Sequence, residues 1–185
     1  MLKKLSGIIA ASLLASPLLA SSALAAGIER HLINPEAIIL TGVTVPEGAT
    51  TLYLSGALPA VADVTKPTSS IEAYGDTKTQ TLSTLARIKG NLETLGWSMS
   101  DVVKLTVFLA GDPKLGGKMD FKGMNEAYSQ FFGSAENPNK VARSTVQVAA
   151  LVGAGFLIEI EAIAVKAKVS GKMPGKSADA PLLDH

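Results

Sequence analysis

The 185-residue chain contains no cysteine and only two histidines. The first absence excludes disulfides, thiolate zinc sites, iron–sulfur ligation and a cysteine nucleophile. The histidines, His31 and His185, are expected at the frayed start of the mature chain and at its last residue. Neither position favours a metal site or a catalytic triad. Aromatic residues are sparse at 5%, and 17 basic side chains face 16 acidic ones, a net charge of +1. That balance gives no basic footprint for nucleic acid and no acidic tail. A phosphate-binding Gly-rich loop ending in Lys-Ser/Thr, GxSxG and HExxH are also missing. What remains is a single domain of ordinary hydrophobic content (47%), with no cofactor implied.

The first residues stand apart. Lys3 and Lys4 form a positive region, an apolar stretch runs from Ile8 to Leu19, and Ala23-Leu24-Ala25 supplies the small-x-small pattern of a signal-peptidase site. A spanning helix needs about 20 predominantly apolar residues, whereas this run is shorter and interrupted by Ser12, Ser16 and Pro17. Residues 1–25 are therefore expected to be a cleaved signal peptide. With no cysteine after the cut, lipid anchoring is excluded. The mature chain then carries 15 basic against 16 acidic residues, has no membrane attachment, and is expected in the periplasm or outside the cell.

Along the mature chain, residues 27–36 read as polar and irregular. Ala37–Val43 and Thr51–Leu54 read as strands. Asp76 and Thr77 can cap a helix whose apolar positions Leu82, Leu85, Ala86, Leu92 and Leu95 recur at helical spacing, and Gly96 should end it. Val102–Leu109 is a strand. Asp120 can cap a second helix reaching Phe132. Strands over about Ser144–Leu151 and Phe156–Val165 follow, joined as a hairpin through Gly153-Ala154-Gly155. Residues 167–185 carry little periodicity and read as a disordered tail. The order predicts an α+β domain over 26–166, a mixed sheet with two helices on one face. The uncovered face calls for a symmetric partner.

Few residues can carry chemistry. Arg143 opens ARSTVQVAAL and shares an alternation with Thr145 and Gln147; its guanidinium fork suits a carboxylate or a phosphate, and a surface salt bridge is the plainer alternative. Glu159 and Glu161 lie on one face of an otherwise apolar strand, facing either solvent or a pocket or subunit interface. Asn125 and Tyr128 are polar-tipped positions on an apolar helix stripe, open to packing or to function.

The segments LYLSGALP (52–59), DVVKLTVFL (101–109), MNEAYSQFF (124–132), ARSTVQVAAL (142–151) and IEIEAIAV (158–165), in this order, resemble the RidA or YjgF-type family of reactive-intermediate deaminases. The resemblance covers about residues 37–166. It implies a chorismate-mutase-like fold, a homotrimer with clefts between subunits, and cofactor-free hydrolysis of enamines and imines such as 2-iminopropanoate to 2-oxo acids and ammonia. It further implies that Arg143 clamps the substrate carboxylate and that Glu159 holds the attacking water. Ser55, Gly56, Asn125 and Thr145 would line the cleft, and the ligands would be small imino- or oxo-acid carboxylates.

The chain departs from the family pattern in three places. No Gly-Pro-Tyr-Ser-Gln stretch occurs in residues 27–50, Ala57 replaces the usual glutamine, and the VGAG turn lacks a proline and is one residue longer. These changes touch the cleft rather than the core. The rival readings are an inactive trimeric carboxylate-binding module and a chaperone-like interaction protein. Ammonia release separates the enzyme from both.

Overall fold

The computed structural model describes residues 27–168. The expected signal segment and residues 169–185 of the expected tail lie outside the described residues. Eight elements follow in chain order: β1 (Glu29–His31), β2 (Gly42–Thr44), β3 (Thr50–Ala57), α1 (Thr77–Thr94), β4 (Val102–Leu109), α2 (Phe121–Tyr128), β5 (Ala142–Gln147) and β6 (Ile158–Lys166).

Alternation builds the sheet. In β4 the side chains of Leu105, Val107 and Leu109 are buried, and in β6 those of Ile158, Ile160, Ala162 and Ala164. The intervening residues point the other way, as a period of two requires. The four main strands run in the order β3-β6-β4-β5. β6 is antiparallel to both neighbours, while β4 and β5 are parallel.

Both helices cover the face carrying those apolar side chains. α1 starts where the Asp76 carboxylate accepts the Thr79 N–H at 2.8 Å, and α2 where Asp120 accepts the Gly123 N–H at 2.8 Å. Leu85, Ile88 and Leu92 of α1 and Met124 and Tyr128 of α2 form one core with the strand residues. Each such large side chain contributes about 1.5–3 kcal/mol by leaving water. Among the described residues the opposite face has no helix, and it presents Lys104, Thr106, Phe108, Ser144, Val146, Glu159, Glu161 and Ile163. Tyr53 stands there 75% exposed and Val146 46%.

Several expectations are corrected. β5 and β6 do not form a hairpin, because β4 lies between them. β6, apolar almost throughout its inward face, takes a central place with partners on both edges, whereas β5 is half exposed and suits an edge. Gly153 and Gly155 therefore belong to a long connection rather than to a hairpin turn. The residues 37–43 expected as a strand make one parallel bridge, Leu40 to Ala142, before Gly42–Thr44 turns away to pair with β1. Residues 27–36 are not wholly irregular, and His31 is not frayed. It lies in β1, with Nε2 2.7 Å from Thr44 Oγ1. α2 stops at Tyr128, and the chain continues to Phe132 in tighter turns. β5 ends at Gln147, four residues short of the expected Leu151.

Candidate active site

Arg143 lies opposite Leu105 in the β4–β5 ladder and Thr145 opposite Val107, so both point to the helix-covered side. Because β5 is an edge strand, they reach the rim of the core beneath α2. The Arg143 Nη2 donates to Asn125 Oδ1 at 2.7 Å and Nη1 to Met124 Sδ at 3.6 Å. Its guanidinium carbon stands 4.4 Å from the centre of the Tyr128 ring and 5.8 Å from that of Phe121. Tyr128 is held in turn by a 3.3 Å bond from its hydroxyl to the Ile38 carbonyl. The aromatic faces favour the cation and fix its plane.

No ion pair among the described residues includes Arg143, so the surface salt-bridge alternative does not hold for them. Burial lowers the Arg143 pKa from its usual value, and the same burial raises that of Tyr128 against the opposing pull of the Arg143 charge. Arginine remains charged regardless. Two buried polar atoms at this corner, Arg143 Nε and Thr145 Oγ1, have no hydrogen-bond partner among the described residues. Buried polar groups are ordinarily paired. A partly desolvated cation with an idle donor and an idle hydroxyl beside it is chemically suited to a small anion.

The second set of residues lies toward the other edge, Ser55 and Gly56 on the outer strand β3 and Glu159 on its central neighbour β6. The β3–β6 register shifts between Leu54 and Ala57, which places Ser55 and Gly56 at an irregularity on an outer strand. Gly56 leaves room there for the Glu159 carboxylate, which packs directly over it and would have to move aside for a Cβ. Ser55, Gly56, Leu58, Arg87 and Asn91 line a groove of about 510 Å³ between β3 and α1. Arg87 is steadied by a 3.1 Å bond from Nη1 to the Leu58 carbonyl. Glu159 pairs with Phe108 and Glu161 with Thr106, so both glutamates share the helix-free face.

One chain thus assembles two half-sites: Arg143 with Asn125 and Thr145, and Glu159 with Ser55 and Gly56. It does not bring the halves together. They occupy opposite sheet faces: Glu159 on β6 lies two strand spacings, roughly 10 Å, across the sheet from Arg143 on β5, and Ser55 and Gly56 on β3 lie one spacing further.

Sequence reasoning missed several supports. Arg30 donates to the carbonyls of Val102 (3.0 Å), Lys140 (2.8 Å) and Ser100 (2.9 Å), stapling β1 against the entries to β4 and β5. Gln147 accepts from the Met119 N–H at 2.9 Å and donates to the Gly117 carbonyl at 2.8 Å, securing the approach to α2. Nothing local in the sequence marks such long-range contacts. Among the described residues, no group of three or more His, Asp or Glu could hold a metal, and no helix is long and apolar enough to cross a membrane.

The fold and its half-sites define a small α+β domain that offers a half-buried arginine on one side and a carboxylate on the other. A family model described as Endoribonuclease L-PSP matches residues 43–166. The chain belongs to that family, to which the names RutC, YjgF and Rid also attach and which the ordered motifs resemble. It is 39% identical over 115 residues to a RutC family protein of Pyrococcus horikoshii, covering 62% of this chain and 79% of that one. It is 35% identical to TdcF of Escherichia coli K12, named as a candidate reactive intermediate deaminase, over 62% of this chain and 78% of TdcF. The solved structure of the Rid-family protein YyfB from Yersinia pestis superposes with a TM-score of 0.53 at 25% identity, covering 73% of this chain and 97% of that one.

Proposed function

We propose that the protein hydrolyses reactive enamines and imines of small 2-amino acids, of the 2-iminopropanoate kind, to 2-oxo acids and ammonia. The observation that carries this reading is the Arg143 corner: among the described residues, a half-buried guanidinium with no carboxylate partner, and Nε and Thr145 Oγ1 idle beside it. The name of TdcF supports the reaction class. The family model's description refers to ribonuclease, but 17 basic against 16 acidic residues offer no stripe to track a phosphate backbone.

Arg143 binds the substrate carboxylate by two charge-assisted hydrogen bonds, and Asn125 and Tyr128 hold its plane. Glu159 takes a proton from water as the water oxygen bonds to the imine carbon. The substrate is attacked in its protonated imine form, so the carbinolamine nitrogen already carries two hydrogens. Glu159 returns its proton to that nitrogen, the C–N bond breaks and ammonia leaves. The hydroxyl proton passes to Glu159 and on to solvent as the carbonyl forms. Orientation and fixed charges supply the rate gain.

A three- or four-carbon acid cannot reach from Arg143 to Glu159, which lie roughly 10 Å apart across the sheet and on its opposite faces. A second copy must supply the missing half. We therefore place each site between neighbouring subunits of a homotrimer, with Arg143 from one and Glu159 from the next. The helix-free face, with Tyr53 and Val146 exposed, supports association.

The N-terminal residues support export to the periplasm or beyond, where an amino-acid oxidase or dehydrogenase would supply the imine. Ammonia release from imine generated in place tests the reaction; no release above the spontaneous rate at high protein concentration overturns it. Intact mass tests export, since a mature chain beginning at Ala26 or Gly27 is expected.

A further inference from the structure

Gln80 on α1 is fully buried in the core, and both ends of its amide are occupied. Nε2 donates to the carbonyls of Gly75 and Gly155, each at 3.0 Å, and Oε1 accepts the Leu157 N–H at 2.8 Å. Two of these three bonds reach the segment leading into β6, more than seventy residues downstream. Leu157 is held on its other side as well, its carbonyl accepting the Ala110 N–H at 3.0 Å. Nearby, Gly155 packs so closely that a Cβ would meet the Ser70 carbonyl at 2.6 Å and the Tyr74 ring at 2.7 Å. The Tyr74 and Phe156 rings meet edge to face, 4.8 Å between centres.

This segment needs a fastening. β5 and β6 are not a hairpin, so no tight turn sets the register of β6 as it begins. A slip of one residue would turn every β6 side chain to the opposite face, carrying Glu159 into the helix-covered core and away from Gly56. Glu159 stands two residues after Leu157. We infer that Gln80 is a positioning residue for Glu159: by clamping Gly155 and Leu157 to α1 it fixes where β6 starts and which face the carboxylate takes. The inference rests on the proposal that Glu159 handles the attacking water.

The test compares wild type with Gln80→Met, which keeps the volume and removes all three bonds, and with Gln80→Glu. A carboxyl buried there takes up a proton, still accepts from Leu157 N–H, and can donate to one of the two carbonyls. In Gln80→Met, kcat should fall by on the order of tenfold to a hundredfold while KM and 2-oxo acid affinity stay within about twofold, because Arg143 is untouched. Gln80→Glu should recover part of the loss. Hydrogen exchange should quicken at the amides of Leu157 and Glu159.

Gly155→Ala displaces the same segment from the other side and should give the same split if Gln80→Met fails to fold. Folded variants with wild-type kcat, or with kcat and 2-oxo acid binding lost in parallel, overturn the inference. A wild type that releases no ammonia overturns the functional reading instead. The clamp is then judged by exchange alone, and unchanged protection at Leu157 and Glu159 in Gln80→Met, or in Gly155→Ala should that variant not fold, would sink it.

Discussion

Arg143 is costly to bury and is kept charged, which makes it the side chain on which ligand binding should depend most. Removing one partner of a desolvated charge pair costs roughly 2–5 kcal/mol, or about thirtyfold to several thousandfold in affinity. Arg143→Ala should abolish measurable imine hydrolysis and weaken binding of a 2-oxo acid, read by calorimetry. Arg143→Lys should recover little, since an ammonium cannot reproduce a planar fork seated on Tyr128. Undiminished 2-oxo acid binding by Arg143→Ala would remove the carboxylate clamp from the mechanism.

Gly56 offers a complementary measurement. An alanine there would push against the end of the flexible Glu159 side chain, which can swing aside. Gly56→Ala should therefore melt near the wild-type temperature yet lose about tenfold or more in kcat. A variant with full activity would mean that the Glu159 position over Gly56 has no part in turnover.

At the scale of elements, the helix starts were legible because capping is a local event. Asp76 and Asp120 each accept a backbone N–H from three residues on, within the reach of sequence reasoning. Hydrogen bonds from Thr79 hold the Asp76 pKa below its ordinary value. A carboxyl with a lowered folded pKa stabilises the fold above its unfolded pKa, near 4, and loses that contribution as pH falls through the folded value. Asp76→Ala should cost about 1 kcal/mol near neutral pH, and the gap to wild type should close progressively below about pH 4. Chemical denaturation across pH checks this; a gap independent of pH would assign the loss to something other than the cap.

The strand pairing was less legible. The Gly-Ala-Gly stretch is a fair turn signal, yet the apolar sequence of β6 is satisfied only by strands on both sides. Burial along the inward face of β6 outweighed the local turn preference.

At the scale of the whole molecule, the half-sites make a prediction that monomer chemistry does not. Arg143→Ala and Glu159→Gln should each be inactive alone. Co-refolded in equal amounts, they should regain up to about a quarter of wild-type activity, because in a random cyclic trimer that share of interfaces joins an intact Arg143 to an intact Glu159. Light scattering of wild type should give three times the monomer mass. No regain on mixing, or a stable active monomer, would overturn the intersubunit site.

The sequence by itself determined what is local or periodic in this protein. Alternating apolar residues defined β4 and β6, acidic caps began α1 and α2, and short ordered motifs carried the family resemblance and pointed to Arg143, Asn125, Thr145 and Glu159. The tertiary structure decided which strand lies beside which, that Arg143 seats on Tyr128 with no carboxylate partner among the described residues, and that Glu159 rests over Gly56 on the opposite face. It also revealed that Arg30, Gln80 and Gln147 fasten distant segments. These are contacts between residues far apart in the chain. Their energies depend on burial and on the pairing of whole strands, and neither is written in any short stretch of sequence.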